Sequence, residues 1–532
     1  MSFRAHHLPY RHTKSFSNIV YDYVDGAEIL KPFYAFNADL QGFASAIENR
    51  KQFPVDRMAL TEELKRRYNG FPVAEKLREN LQLLGSANCF TVCTAHQPNI
   101  FTGHLYFVYK ILHAIRLSEE LKRQFPENDF VPVYFMGSED ADLEELGEVT
   151  IAGKKRQWNT AQSGAVGRMK VDKALVSLID EIGGQLGVLP FGNELVALLR
   201  EHYVIGRTIE ESTFGLVNAM FGSYGLVVLL PDSPGYKKLF VPVMQQELEK
   251  QFSAIAVEET LDVFPARYKI QAAGREINLF FLDEDGRNRI EKAGESYQVI
   301  NTKKKFSKEE LLHELNHHPE KFSPNVILRP LFQETILPNV AFIGGGGELA
   351  YWLELKKAFE AADVAYPVLI LRNSFLMINC SNRDLYGKLG LKKEDLFENK
   401  NDLAAAWVAR NAHVQVSLQY EIEELRSFYH KIQTIASEVD VTLARHTEAL
   451  RTKAVEKIRA LEKKLLRAEK RKHDASIRQI EKLKMELFPN DGLQERVENI
   501  LPWLAEFGFG LLDKIYVVSP AFEPAFTILE EC

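Results

Sequence analysis

Cysteine is scarce in this chain, with Cys89, Cys93, Cys380 and Cys532 its only thiols. Four scattered cysteines cannot build the disulfide framework of a small secreted scaffold, so reduced thiols are expected. CxxC and HExxH are both missing, which removes the usual ligand spacings for zinc, and no tightly bound zinc is expected. No glycine-rich loop ends in Gly-Lys-Ser/Thr and no GxSxG elbow occurs, so neither a P-loop nor a hydrolase-type serine is available. Apolar runs fall far short of the roughly 18 residues of a membrane span. The opening residues, MSFRAHHLPYRHTKSF, contain no apolar targeting core. No membrane partner is expected, and the location expected is the cytoplasm. An excess of either charge is also lacking: 66 basic against 73 acidic side chains give a formal charge of -7. No global field draws nucleic acid, which is not expected as a partner.

What is present is a globular composition, 46% hydrophobic and 26% charged, over 532 residues. That length exceeds what one core usually serves, so a large domain with insertions or an appendage is expected. From Asn88 to Phe375 short apolar runs alternate with amphipathic stretches, the pattern of an α/β protein with a mostly parallel, Rossmann-like sheet. Candidate strands are Phe90–Thr94, Val131–Met136, Leu226–Leu230, Ile277–Leu282, Val340–Ile343 and Val368–Leu371. Glu276 to Ile290 also reads as a hairpin around an Asp-Gly turn, inside an inserted module. Lys303 to Pro319 reads as a helix capped by Ser307 and Glu310.

Glycine and proline vanish from about Val416 to Leu487. Leu450, Ala454, Ile458, Leu461, Leu465 and Ala468 recur at steps of three and four, marking an apolar seam on a long helix. An antiparallel helical hairpin is expected, turning near Val439 to Val441. Asp440 to Leu487 carries 14 Lys and Arg against 8 Asp and Glu, so an RNA-binding arm is one alternative reading and a non-catalytic scaffold another. After Pro489 a globular pattern resumes, and LLDKIYVVSP offers a further strand returning to the main sheet.

Three stretches could carry chemistry, since ligands of open α/β sheets bind beyond the carboxyl ends of the strands. In Phe90 to Ile115 a strand runs into a polar loop holding His96, Gln97 and Asn99, and then Thr102-Gly103-His104 opens a helix that also carries Tyr106. The first turn of such a helix can offer backbone N–H groups to an anion. Class I adenylating enzymes have a similar Thr-Gly-His or His-x-Gly-His here, although Phe101 stands at the first histidine. A capping or surface role is the alternative for His104. In Val131 to Leu146, Glu139, Asp140 and Asp142 follow a strand and could hold an ammonium group or take its proton, or simply cap the next helix. In Leu328 to Glu360, Arg329 and Glu334 precede a strand, and Gly344 to Gly347 lead into Glu348 and Tyr351. Gly345 and Gly346 permit close backbone approach, for a ligand or only for packing. Arg372 and Asn373 end another strand, where a guanidinium could grip a carboxylate or form a structural ion pair. The candidate catalytic groups are His104, His96 and Asp140; the others are candidates for substrate binding.

Taken together, AHQPNIFTGHLYFVYK, VPVYFMGSEDADLEEL, FSPNVILRPLFQETILPNVAFIGGGGELAYW and LFPNDGLQERVENILPWLAEFG resemble, in order, the motifs of the cysteine-adding enzyme family of bacillithiol biosynthesis. The sequence departs at Ala95, His96 and His104, where that family usually has Gly, Gln and Pro. The resemblance implies a Rossmann-like core over residues 1–410 with connecting-peptide insertions near 150–225 and 255–325. It further implies a coiled-coil hairpin over 411–488 that pairs two subunits, and a C-terminal segment over 489–532 returning to the core. The implied reaction joins cysteine to the amine of glucosaminyl-malate. Activating a free carboxylate suggests ATP with magnesium. Under this reading His104 and its helix start face the anion, Glu139, Asp140 and Glu348 the substrate amines, and Arg372 a substrate carboxylate.

Overall fold

The computed structural model describes every residue except Met1, Ala273, Glu284, Asp285, His413, Val414 and Val416. The chain opens on strand β1 (Phe3–Pro9) and passes through short helices to β2 (Cys89–His96), buried along its length as far as His96. Helix α1 (Leu105–Gln124) follows, with Phe107, Val108, Ile111 and Leu112 among its buried residues and Lys122 and Arg123 in its last turn, where the helix dipole favours cations. It leads into β3 (Asp129–Met136). A short hairpin, β4 (Glu148–Ile151) and β5 (Lys154–Gln157), and a set of helices then separate β3 from β6 (Val227–Leu229).

Next comes a run of antiparallel strands: β7 (Leu279–Asp283), β8 (Gly286–Ala293), β9 (Ser296–Val299), β10 (Lys305–Ser307) and, after a helix, β11 (Phe322–Pro324). They form one sheet in the order β10-β9-β8-β7-β11. The helix between them, Lys308–His317, starts on a capping box of Ser307 and Glu310, as the sequence suggests. Asp283 pairs with Gly286, while Asp285 of the expected Asp-Gly turn lies outside the described residues.

Helix α2 (Leu328–Ile336), β12 (Asn339–Gly344), α3 (Gly346–Leu353) and β13 (Val368–Leu371) complete the core. Its sheet is parallel throughout, in the order β13-β12-β2-β3-β6. Every strand of it except β6 borders residues that the sequence marks as candidates. The run Ile277–Leu282 is absent from this sheet because its partners are the neighbouring antiparallel strands.

After β14 (Ser374–Ile378) the chain builds α4 (Gln419–Val439) and α5 (Val441–Lys472), which pack as an antiparallel pair turning at Asp440. The Asp440 carboxylate accepts from the Thr442 N–H at 2.7 Å and so starts α5. A break at His473 separates α5 from α6 (Asp474–Leu487), whose Ile480, Leu483 and Leu487 are buried. The segment LLDKIYVVSP is not a strand. Gly510–Val518 is a helix, because Leu511, Leu512 and Ile515 share one buried face while Val517 is exposed. The last strand, β15 (Ala525–Glu531), lies between β1 and β14 in a separate three-stranded sheet and not in the main one.

Candidate functional site

Strands β2 and β3 run in register from Cys89 opposite Asp129 to His96 opposite Met136, so their carboxyl ends stop at the same level. β12 lies against the other side of β2 with Ile343 opposite Thr94, and its glycine loop opens at that same edge. Beyond this edge lies a cavity of about 770 Å³. Its walls include His96, Gln97, His104, Tyr106, Glu139, Asp140, Arg329, Gly345, Gly346, Glu348, Tyr351 and Arg372 from the sequence candidates. Asn99, Thr102, Gly103, Asp142, Glu334 and Asn373 do not line it.

His96 ends β2, with its ring 5.3 Å from that of Tyr106 and 5.5 Å from that of Phe107. Its Nε2 is buried and without a partner among the described residues. Burial first, and then the charge of Lys110, hold its pKa well below the usual histidine value, so the ring is neutral near pH 7. Lys110, from the middle of α1, donates to the Ala95 carbonyl at 3.0 Å and pairs with Glu348. Burial lowers its pKa, against Glu348, which raises it. Glu348 also accepts from the Gly345 N–H at 2.8 Å, closing the first turn of α3. It is therefore held by a cation and a cap before any substrate amine arrives. Sequence reading missed Lys110, though a lysine inside the apolar run FVYKILHAI is a visible signal of a buried cation.

The four glycines divide by role. A Cβ on Gly344 would come within 2.8 Å of Phe342 and one on Gly346 within 2.8 Å of Val20, so both permit packing. A Cβ on Gly345 would make ordinary contact with Arg372 and Glu348 at 3.5 Å, and one on Gly347 would meet open space. Arg329 donates to Gln333 at 3.1 Å and to the Tyr351 hydroxyl at 2.8 Å, and has no carboxylate partner among the described residues.

On the acidic side, Asp140 faces the cavity, accepting from Gln97 Nε2 at 3.1 Å and from the Asp142 N–H at 3.2 Å. Glu139 lines the wall but is paired with buried Lys237, which also donates to the Phe322 carbonyl at 2.6 Å. That pairing leaves it no free role toward an amine. Asp142 caps the turn Leu143–Leu146 by accepting from the Glu145 N–H at 3.1 Å.

The remaining candidates are structural. Glu334 is fully buried and accepts from Gln333 and Asn339 side chains at 2.8 Å each. Burial pushes its pKa up to about 7, with Arg50 opposing. Arg372 is not free for a substrate carboxylate: it pairs with Glu495 at 2.7 Å, the two side chains being 4% and 0% exposed. Asn373 donates to the Pro520 carbonyl at 2.9 Å.

The start of α1 is also closed. The Leu105 N–H donates to the Glu498 carbonyl at 2.8 Å, and Asn499 donates to the carbonyls of Phe101 and Gly103. Gly103 sits at φ 65° against Asn99, whose Cβ a side chain there would meet at 2.7 Å. Thr102 is buried at the same turn. One of the N–H groups expected to face an anion, that of Leu105, is thus taken by the chain itself. His104 keeps a cavity position, and burial lowers its pKa against a hydrogen bond to the Val497 backbone.

Cations that the sequence did not single out complete the wall: Arg275, Arg287 and Arg289 from the antiparallel module and Arg496 from the C-terminal segment. Arg287 donates to Ser323 and to the Pro324 carbonyl at 2.9 Å and stacks over Phe280. Among the described residues no three His, Cys, Asp or Glu side chains are grouped to hold a metal ion.

A Rossmann-like parallel sheet with a polar cavity beyond its strand ends, joined to a helical coiled-coil appendage, defines the class. Family models give it a name. The model described as "Bacillithiol biosynthesis BshC, N-terminal Rossmann-like domain" matches residues 3–373, and "Bacillithiol biosynthesis BshC, C-terminal coiled-coil domain" matches residues 375–531. The chain belongs to the BshC family of bacillithiol biosynthesis. Relatives named "Putative cysteine ligase BshC" include one from Flavobacterium johnsoniae, 37% identical over 98% of this chain and 99% of its own length. Another, from Flavobacterium psychrophilum, is 38% identical over 96% of each. A third, from Cytophaga hutchinsonii, is 35% identical over 97% of each. Among solved structures, a chain described as a "putative arginyl t-RNA synthetase" from Campylobacter jejuni aligns over 87% of this chain and 99% of its own. Its identity is 11% and its TM-score 0.24, a level that says nothing about fold or function.

Proposed function

We propose that this protein is a ligase that joins the carboxyl carbon of cysteine to the amine of glucosaminyl-malate, the last step of bacillithiol assembly, in the cytoplasm. One observation carries the reading: a single cavity beyond the parallel strands gathers a neutral, unpartnered imidazole, a free carboxylate and several cations. Family membership supports the cysteine ligase chemistry. The amine of the acceptor is an ammonium ion in water and must lose a proton before its lone pair can attack. Asp140, steadied by Gln97, holds the amine while that proton leaves, and neutral His96 takes the far more acidic second proton once the nitrogen has bonded to the carbonyl carbon. Lys110 beside His96 disfavours a second positive charge and keeps the imidazole basic in form. His104 lies near His96, its ring 5.7 Å from the same Tyr106 ring that packs against His96. Arg329 and Tyr351 bind carboxylate or phosphate oxygens from the glycine-loop side.

Cysteine's carboxylate needs activation, and ATP with magnesium is the proposed second substrate, supplying a leaving group on that carbonyl. The lining cations Arg275, Arg287, Arg289 and Arg329 fit a polyphosphate. The same reading includes a homodimer formed through the helical hairpin, whose Phe428 and Ile435 are 58% and 62% exposed on a face suited to self-association.

The test is the purified protein with cysteine, glucosaminyl-malate and ATP with magnesium, followed by mass spectrometry. Amide product should form with ATP consumed in proportion; AMP and pyrophosphate would report adenylation, ADP and phosphate an acyl phosphate. Cells that lack the gene and any substitute enzyme yet keep normal bacillithiol would overturn the reading.

A further inference from the structure

Arg496 sits in the short turn Gln494–Arg496 that the chain makes after leaving the helical hairpin. The two residues before it are tightly held. Glu495 pairs with Arg372 and accepts from the Phe375 N–H at 3.1 Å, and Gln494 exchanges hydrogen bonds with the Met377 backbone at 2.9 and 3.1 Å. On the other side, His104 is hydrogen-bonded to the Val497 backbone and the Glu498 carbonyl accepts from α1. The turn is therefore rigid, and it fixes Arg496 in the cavity wall.

Most other cations of that wall have partners: Lys110 has Glu348, Arg372 has Glu495, Arg287 has Ser323 and the Pro324 carbonyl, and Arg329 has Gln333 and Tyr351, whereas the Arg289 side chain on β8 has none among the described residues. The Arg496 backbone N–H donates to the Leu493 carbonyl at 2.9 Å, but among the described residues its guanidinium makes no hydrogen bond and no ion pair. Its electrostatic neighbours are Arg372, a like charge, Glu495, an opposite charge already paired with Arg372, and Tyr106, whose ring carries the Arg372 guanidinium at 5.0 Å. Burial and the charge of Arg372 depress its pKa. A guanidinium held beside another cation in a partly desolvated wall is unfavourable until an anion arrives. At the neighbouring helix terminus the Leu105 N–H is already taken by the Glu498 carbonyl.

We propose that Arg496 is a substrate-binding residue that grips the anionic group of a substrate, carboxylate or phosphate, at the Tyr106 side of the cavity. This rests on the cavity being the substrate site of the proposed reaction, and it replaces Arg372 in the role the sequence suggested. Two sources share this chemistry: the malate carboxylates of the acceptor and the phosphates of the nucleotide.

The test titrates purified full-length protein calorimetrically with L-malate, glucosaminyl-malate and ATP with magnesium, for wild type, Arg496→Ala and Arg496→Lys. The alanine variant should lose about tenfold or more in affinity for one source. Loss for malate and glucosaminyl-malate assigns the carboxylate; loss for ATP alone assigns the phosphate. Lysine should restore part of the affinity, keeping the charge but not the bidentate fork. In turnover, KM for that substrate should rise while kcat is largely kept, and the thermal midpoint should hold because Arg496 supports no other group. Unchanged binding of all three probes by the alanine variant would overturn the proposal, as would a wild type that binds none of them. A wild type that binds them through Arg496, in a protein whose deletion leaves cellular bacillithiol intact, would sink the reaction and sustain the anion site.

Discussion

Asp140 and Asp142 stand two residues apart and do different things. The first accepts from Gln97 inside the cavity; the second accepts from a backbone N–H and starts a helical turn. Asp140→Asn should weaken binding of the amine-bearing acceptor with little change in stability. Asp142→Ala should cost about 1 kcal/mol in denaturant unfolding and leave binding unchanged. The reverse pattern would move the site. The sequence could not separate the two, because a strand-end carboxylate that caps and one that binds have the same local context. Lys110 was legible as a lysine in an apolar helical run. Arg372 was not, because the Glu495 that occupies it lies 123 positions away in the chain.

His113, also on α1, carries a separate prediction. One ring nitrogen contacts the Ala521 carbonyl at 3.1 Å and the other accepts from the Asn373 N–H at 3.1 Å, so only the neutral ring satisfies both. Burial pulls its pKa down to about 4. Its unfolded value is about 6.5, so below that pH the unfolded chain takes up a proton that the native state refuses. The stability held above about pH 6.5 should therefore decline as pH falls toward about 4, by about 3 kcal/mol at full extent. His113→Gln should flatten that slope. Equal slopes in the two proteins would show that His113 is not its source.

At the scale of elements, the parallel strands were legible because each is a short apolar run bounded by polar loops. The helix Gly510–Val518 was not: LLDKIYVV is as apolar as a strand, and only its one-sided burial shows the helical period. The break between α5 and α6 at His473 has no glycine or proline to announce it. The hairpin turn expected near Val439 to Val441 falls at Asp440, whose carboxylate caps the next helix through the Thr442 N–H two residues on. Part of the hairpin's apolar surface remains open, including Phe428, Ile435 and Leu450. Changing Phe428 and Ile435 to Ser and Leu450 to Gln should convert a dimer into a monomer by light scattering while the core melts as before. A variant that stays dimeric would place the subunit contact elsewhere.

Across the whole molecule, residues far apart in sequence finish one cavity. The antiparallel module supplies Arg287, the glycine loop supplies Glu348, and the segment after the hairpin supplies Arg496 and closes the start of α1. β15 joins β1 and β14, so both ends of the chain meet beside this segment. Such closures depend on partners hundreds of positions apart and leave no periodic trace, which is why the C-terminal segment was expected to return to the main sheet and β15, in a separate one, was not foreseen. The central claim is that this cavity, with neutral His96 at its floor, performs the cysteine addition. Its most direct test is the thiol content of cells that lack the gene and carry either the wild-type protein or His96→Ala at equal abundance. Wild type should restore bacillithiol and the variant should leave glucosaminyl-malate accumulated. Full restoration by His96→Ala would contradict the account.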